Sequence, residues 1–166
     1  NRTSIYESNG KLNLVIPVKY SSTKKDKLKD VKICNETKWQ KNHLKSIQIS
    51  YRSSPYFEFF EDYFYEIFEK KEKFLVDINI KSIELIFQIL ELELNYSFTK
   101  KYKAEYQLTN DLRNISDRKR VETKNAIQSY PQVFDNRHGH IQNLSMLDLI
   151  FNEGLGCLNF FNESKI

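Results

Sequence analysis

The stretch SPYFEFFEDYFYEIFEKKEKF, Ser54–Phe74, decides the fold class. Proline suits the first position of a helix, where its missing N–H donor would be unpaired in any case. Ser54-Pro55 therefore reads as a helix start. The body that follows sets Tyr56, Phe60, Tyr63, Phe64 and Ile67 on one face at helical steps. Its acids gather toward the start and its lysines toward the end, which suits the helix dipole. The spacing predicts an amphipathic helix with an aromatic inner face.

Helical patterns continue on both sides of it. Upstream, Trp39, His43, Ile47 and Tyr51 recur at every fourth position, with Asn35 or Thr37 as the expected cap. Downstream, INIKSIELIFQILEL carries Ile83, Ile86, Phe87 and Leu90 as a stripe. Further out the period changes to that of strands. TSIYESNGKLNLVIPV, residues Thr3–Val18, brackets Asn9-Gly10, a strong turn signal, and reads as a β-hairpin. Pro17 places the end of its second arm at an edge or a bulge. Val31–Ile33 and the alternating LNYSF, Leu94–Phe98, read as further strands. Near the C-terminus, Asn143 is the expected cap of the helix LSMLDLIFNE, which Gly154 would end. The lysine-rich segment before Val31 reads as a loop, and residues 100–128 as a long charged excursion. The expected architecture is an α/β or α+β single domain over residues 1–166, a small β-sheet packed against three to four amphipathic helices.

Composition narrows the class. Ten Tyr and twelve Phe stand against only two Ala, so rings must fill space that small aliphatic side chains usually fill. Net charge is +4, from 26 basic and 22 acidic residues, a mixed surface that leans only weakly toward anionic ligands. No concentrated basic stripe accompanies it, so nucleic acid ranks last among partners. Cys34 and Cys157 lie far apart without metal-type spacing and read as reduced thiols. No apolar run reaches the length of a membrane span, and no signal-peptide pattern opens the chain, so the expected location is cytoplasmic. The first residue is Asn1 rather than Met, and a leading segment is expected to be missing. Dinucleotide-binding, phosphate-loop, zinc-protease and serine-hydrolase signatures are all absent from the sequence.

Candidate functional residues concentrate in YPQVFDNRHGHIQNLSMLDLIFNEG, Tyr130–Gly154. Val133, Phe134, Leu144, Leu147, Ile150 and Phe151 read as a C-terminal clasp on the core. The polar turn from Arg137 to Asn143 reads as a pocket wall. His138 and His140 flank Gly139; two alternate histidines would need a third ligand to hold zinc, so no metal is assigned. His138 is either a proton carrier near neutral pH or a histidine hydrogen-bonded at a tight turn. Asn143 caps a helix, or with Arg137 helps to hold an anion at the helix start. Trp39 and His43 are core, or a platform for a sugar or nucleobase. Arg2 could hold a phosphate bidentately. Asp111 and Arg113 are expected to pair with each other.

The C-terminal stretch also resembles that of the WbqC-like protein family. There, Tyr-x-Gln-Val-Phe and His-Gly-Phe are followed by Asn-Leu-Ser-Ile-Leu-Asp-Leu-Leu-Phe-Asn. NRTSI at Asn1–Ile5, LVIPV at Leu14–Val18, the block from Trp39 to Phe64 and NDLRNISDRKR are similar to further family segments, in the same order. His140 stands where the family usually has Phe, and Gln142 where it usually has Pro. The resemblance implies the shorter, Bacteroidetes-type members, which begin with a strand and a Pro/Tyr-rich turn that this chain lacks. It also implies a link to gene clusters for O-antigen and other surface polysaccharides. The expected function is then a cytoplasmic enzyme, of transferase type, acting on a nucleotide- or phosphate-activated sugar. His138 would be catalytic, and Arg2, Trp39, His43, Arg137 and Asn143 substrate-binding; the reaction and any cofactor stay open. A pocket joining Arg2, Trp39 and His138 is the structural requirement. The alternative is a non-catalytic interaction protein that docks through its aromatic helices.

Overall fold

The computed structural model describes residues 1–19, 27–103, 111, 113 and 128–163, with the side chains of residues 161–163 excepted. Most of the lysine-rich loop and of the 100–128 excursion lies outside the described residues.

The architecture is α+β. Strands β1 (Arg2–Glu7) and β2 (Gly10–Val15) pair antiparallel from Arg2↔Val15 to Glu7↔Gly10. The two-residue loop is Ser8-Asn9, and Gly10, at φ +103°, opens the second arm. Only glycine takes that backbone region without a steric penalty, so the Asn-Gly signal located the turn and missed its register by one residue. Proline has no N–H for a ladder, and the pairing breaks at Pro17. The chain then forms a second ladder, β3 (Val18–Lys19) against β4 (Lys32–Ile33). Two small antiparallel sheets therefore replace the single small sheet expected. Residues next to Phe74 extend the second: the Ile33 N–H donates to the Lys73 carbonyl, and the Leu75 N–H to that of Val31.

Three helices follow, α1 (Trp39–Tyr51), α2 (Phe57–Glu69) and α3 (Leu75–Ile89). Helix α1 buries Trp39, Ile47 and Tyr51, three of the four residues of the expected stripe, and half-buries His43. Neither expected cap bonds its first turn; the Asn35 amide donates to the Glu72 carbonyl and the Thr37 hydroxyl to that of Cys34. In α2 the buried face is rotated from the expected one. Phe57 and Phe64 point inward with Phe60, Ile67 and Phe68, whereas Tyr56 and Tyr63 face solvent. Aromatics occur on almost every side of this segment, so periodicity alone could not choose among them. In α3, Leu75, Ile78, Leu85 and Ile89 turn inward and Ile83 outward, for the same reason.

Leu94–Phe98 does not join a sheet among the described residues; it is largely exposed, with the Tyr96 hydroxyl donating to Glu84 of α3. Alternation marks a strand only where a free edge is offered to it. The chain resumes at α4 (Asp135–His138), α5 (Met146–Glu153) and α6 (Cys157–Glu163). Ser145, not Asn143, caps α5, its hydroxyl accepting from the Leu147 N–H. Gly154 ends α5 at φ +57°, as expected.

The main core is built of rings. Phe151 is fully buried, with Tyr51, Phe57 and Phe64 all 5.1–5.2 Å from it between centroids. Ile5, Leu14, Ile47, Leu85 and Ile89 close around them. A second cluster of Ile33, Trp39, Leu75 and Ile78 lies under the small sheet, and Ile67 and Phe68 touch both. The C-terminal clasp is thus real: Ile150 and Phe151 are wholly buried, with Val133, Phe134, Leu144 and Leu147 half-buried beside them.

Candidate functional site

The hairpin divides the expected site residues into two groups. At its open end, Arg2 pairs with Val15 across the ladder, and the half-buried His43 ring donates to the Val15 carbonyl. Burial lowers the His43 pKa, keeping the imidazole neutral at pH 7. His43 also lies edge-on to Trp39 at 5.2 Å and to Phe68 at 6.3 Å. Trp39 itself is core, 5% exposed, so it cannot stack on a ligand; its indole N–H is buried and has no hydrogen-bond partner among the described residues.

At the turn end stands His138. Its Nε2 lies 2.9 Å from the Ser8 carbonyl, which can only accept, so Nε2 carries the proton and Nδ1 is the free acceptor. The ring sits 6.3 Å from Tyr6, whose hydroxyl donates between the carbonyls of Phe134 and Gly139. Gly139, at φ +70°, makes this tight turn, as the sequence suggested. Arg137 is exposed. Asn143 is exposed in a left-handed conformation at φ +57°, with its carbonyl accepting from Lys11 Nζ. From Arg2 to Ser8 the strand runs about 20 Å. Arg2, Trp39 and His43 thus lie toward one end of the hairpin and Arg137, His138 and Asn143 toward the other, the length of the strand apart.

A groove of about 330 Å³ opens beside the first group, between the start of α1 and the end of α2. Thr37, Lys38, Gln40, Lys41, Glu69 and Lys71 are its polar lining residues, and Leu44 and Phe68 its apolar ones. Lys38 precedes α1 without any side-chain cap, and no acid occupies the first turn. The first turn of α1 thus offers uncapped N–H groups and the dipole's positive end on the side of the groove that Lys38 and Lys41 line. Phe68 links the groove to Trp39 and His43, which brace it from beneath.

A third constellation was missed by sequence reasoning. Asp148 is completely buried in α5. The Tyr51 hydroxyl donates to its Oδ1 at 2.8 Å; the Tyr130 hydroxyl and Gln132 Nε2 donate to its Oδ2 at 2.7 and 2.9 Å. Burial outweighs these bonds and raises the carboxyl pKa. Tyr51 in turn accepts from the Tyr6 N–H at 3.0 Å. The Gln132 amide grips both backbone groups of Ile141. The His140 ring lies edge-on to Tyr130 at 5.1 Å, with its Nδ1 buried and unpartnered. This network ties α5 and the turn to α1 and β1, with Asp148 and Tyr51 wholly buried at its centre and Tyr130 half-buried at its edge. Its signal was a single carboxylate inside the apolar run LSMLDLIF, a placement that requires partners once the helix is buried. Among the described residues no group of three or more His, Cys, Asp or Glu side chains could hold a metal. Both cysteines are free thiols, and no described helix is long and apolar enough to cross a membrane. Arg113 does bond Asp111, through Nε at 2.8 Å.

Comparison with known proteins adds one positive result. No curated protein and no solved structure matches the chain. The family model of the WbqC-like protein family matches residues 1–127, which include the hairpin, the three long helices and the whole of the groove; Tyr130–Gly154 lies beyond the matched span. With more than half of its length so matched, the chain belongs to the WbqC-like protein family.

Proposed function

We propose that this chain binds a phosphate- or nucleotide-activated sugar in the groove at the start of α1, as part of a cytoplasmic enzyme of surface-polysaccharide assembly. The observation that carries the reading is a groove lined by Lys38, Lys41 and Lys71 beside an uncapped helix start. Three cations and free backbone donors favour a phosphate or pyrophosphate group. Leu44 and Phe68 offer an apolar wall to a sugar or base. The volume falls at the lower end of small-molecule sites. Membership of the WbqC-like family, with its link to surface-polysaccharide clusters, agrees with that ligand class.

Within this reading His43 and Trp39 hold the groove's floor. His138 and Arg137 belong to α4, which sets the His138 ring against the hairpin turn at Ser8. The two locations are separated by experiment. Nucleotide sugars, sugar phosphates and pyrophosphate are screened by thermal unfolding of the wild type, Lys38→Ala/Lys41→Ala and His138→Ala. A ligand at about 100 times its dissociation constant adds about 2.7 kcal/mol, a rise of about 5–10 °C for a chain of this size. The reading expects that rise in the wild type and in His138→Ala, and its loss in the lysine double variant. A rise lost only in His138→Ala moves the site to the hairpin turn. No rise with any ligand, or one untouched by either variant, refutes the proposal. The non-catalytic alternative is favoured by one observation, the aromatic outer face of α2.

A further inference from the structure

Helix α2 and the residue that precedes it turn three aromatic rings to solvent. Tyr56, Phe59 and Tyr63 lie at helical steps of three and four and are 39%, 73% and 41% exposed. Isolated exposed apolar residues are ordinary, but these form one stripe. Its start is held firmly: the Tyr56 N–H donates to the Phe151 carbonyl, the Tyr56 ring packs over Gly154, and Phe59 lies 6.2 Å from it between centroids. Anchors ordered before binding lose little entropy on contact.

The charge around the stripe is of one sign. Helix α2 carries Glu58, Glu61, Asp62, Glu66 and Glu69 and no basic residue, although the chain as a whole is net +4. Glu58, Asp62, Glu66 and Glu69 are exposed alongside the rings. Among the described residues none of the five is in a salt bridge. An anionic lipid surface or a nucleic acid would be repelled by such a face. Two copies packed through it would set carboxylates against carboxylates.

We infer that the outer face of α2 is a docking surface for a basic amphipathic helix of a partner protein, its apolar residues seated on Phe59 and Tyr63 and its Lys or Arg residues beside the α2 carboxylates. Helix-on-helix docking of this kind reads apolar anchors at steps of three and four. The apolar anchors lie outside the lysine-lined groove, which shares only Glu69 with this face, and the inference stands or falls independently of the ligand proposed there.

The test uses a fluorescein-labelled Lys/Leu amphipathic peptide of about 18 residues, long enough to cover the helix, in anisotropy titrations. Two controls replace every Leu by Ser, or every Lys by Glu. The expected result is saturable binding of the Lys/Leu peptide, weakened about tenfold or more in each control. Phe59→Ser/Tyr63→Ser and Glu58→Lys/Asp62→Lys should each weaken it similarly, with circular dichroism unchanged and melting lowered by only a few degrees, because all four side chains are exposed. Raising salt from about 0.05 to about 0.3 M should weaken it as well. Equal binding by the Lys/Ser peptide reduces the effect to unspecific charge attraction and overturns the inference. So does binding indifferent to both variants, or none at about 1 mM. Self-association of the free chain that Phe59→Ser/Tyr63→Ser abolishes would make the occupant a second copy and overturn it too.

Discussion

Tyr51→Phe should be among the most damaging conservative substitutions in this protein. The change removes one oxygen and keeps the ring in place against Phe151. That oxygen donates to the buried Asp148 and accepts from the Tyr6 N–H. A hydrogen bond to an ionised group is worth about 1.5–3 kcal/mol, and a buried donor left alone costs about 1–3 kcal/mol. The two losses share one network and do not simply add, so the expected cost is about 3 kcal/mol. Total stability of a domain is only about 5–15 kcal/mol. Urea unfolding followed by Trp39, the sole tryptophan and a buried one, provides the assay. With a slope of about 2 kcal/mol per molar urea, the midpoint should fall by about 1.5 M. Tyr130→Phe is the internal comparison. Its hydroxyl also reaches Asp148, but the side chain is only half-buried, so water can replace the lost donor. It should cost about half as much or less. A midpoint for Tyr51→Phe within experimental error of wild type, or equal damage from both variants, would refute the view that Tyr51 is the network's central bond.

Asp148 also has a pH signature. Its folded pKa lies above the usual value near 3.8, so the contribution it makes is fullest below that value and declines as pH rises through the folded pKa. Compared with Asp148→Asn, the wild type should therefore lose urea resistance between pH 4 and pH 7; a relative gain over that range would contradict the direction given. His43 has the opposite sense: its lowered pKa gives stability that is present above its usual value near 6.5 and lost as pH falls through the folded pKa. Acidification from about pH 7 to pH 5 should cost the wild type more than His43→Asn, as read from the same midpoints. At Gly154 the backbone is at φ +57° and an added Cβ would meet the Tyr56 ring at 2.8–3.0 Å. Gly154→Ala should cost about 1–3 kcal/mol, and adding Tyr56→Ala should recover only the part due to the ring clash.

Local rules located most of the elements here. The hairpin followed from Asn9-Gly10 between apolar runs, the three helices from their periodicity, the end of α5 from Gly154, and the clasp from the apolar residues of Tyr130–Gly154. Aromatic excess announced a core of rings, and the rings around Phe151 are that core. These features depend on backbone sterics and on the count of apolar side chains, both of which are local. Family membership was also legible, because ordered blocks of residues survive without any knowledge of their placement.

The tertiary structure decided what depended on distant partners. Which side of α2 faces inward was settled by the position of Phe151, some ninety residues onward, since aromatics on every side left the helix free to rotate. Leu94–Phe98 alternates correctly and still forms no strand, because no sheet edge among the described residues receives it. Asp148 looked like an ordinary helix residue until Tyr51, Tyr130 and Gln132 closed over it. The candidate site followed the same logic: Arg2 and His138 both lie against one hairpin, yet the length of its strands parts them, while Lys38 and Lys71 line one groove only because α2 returns its end to the start of α1. Sequence sets what each segment prefers; which groups stand within a hydrogen bond or a Debye length of one another is set by packing between segments.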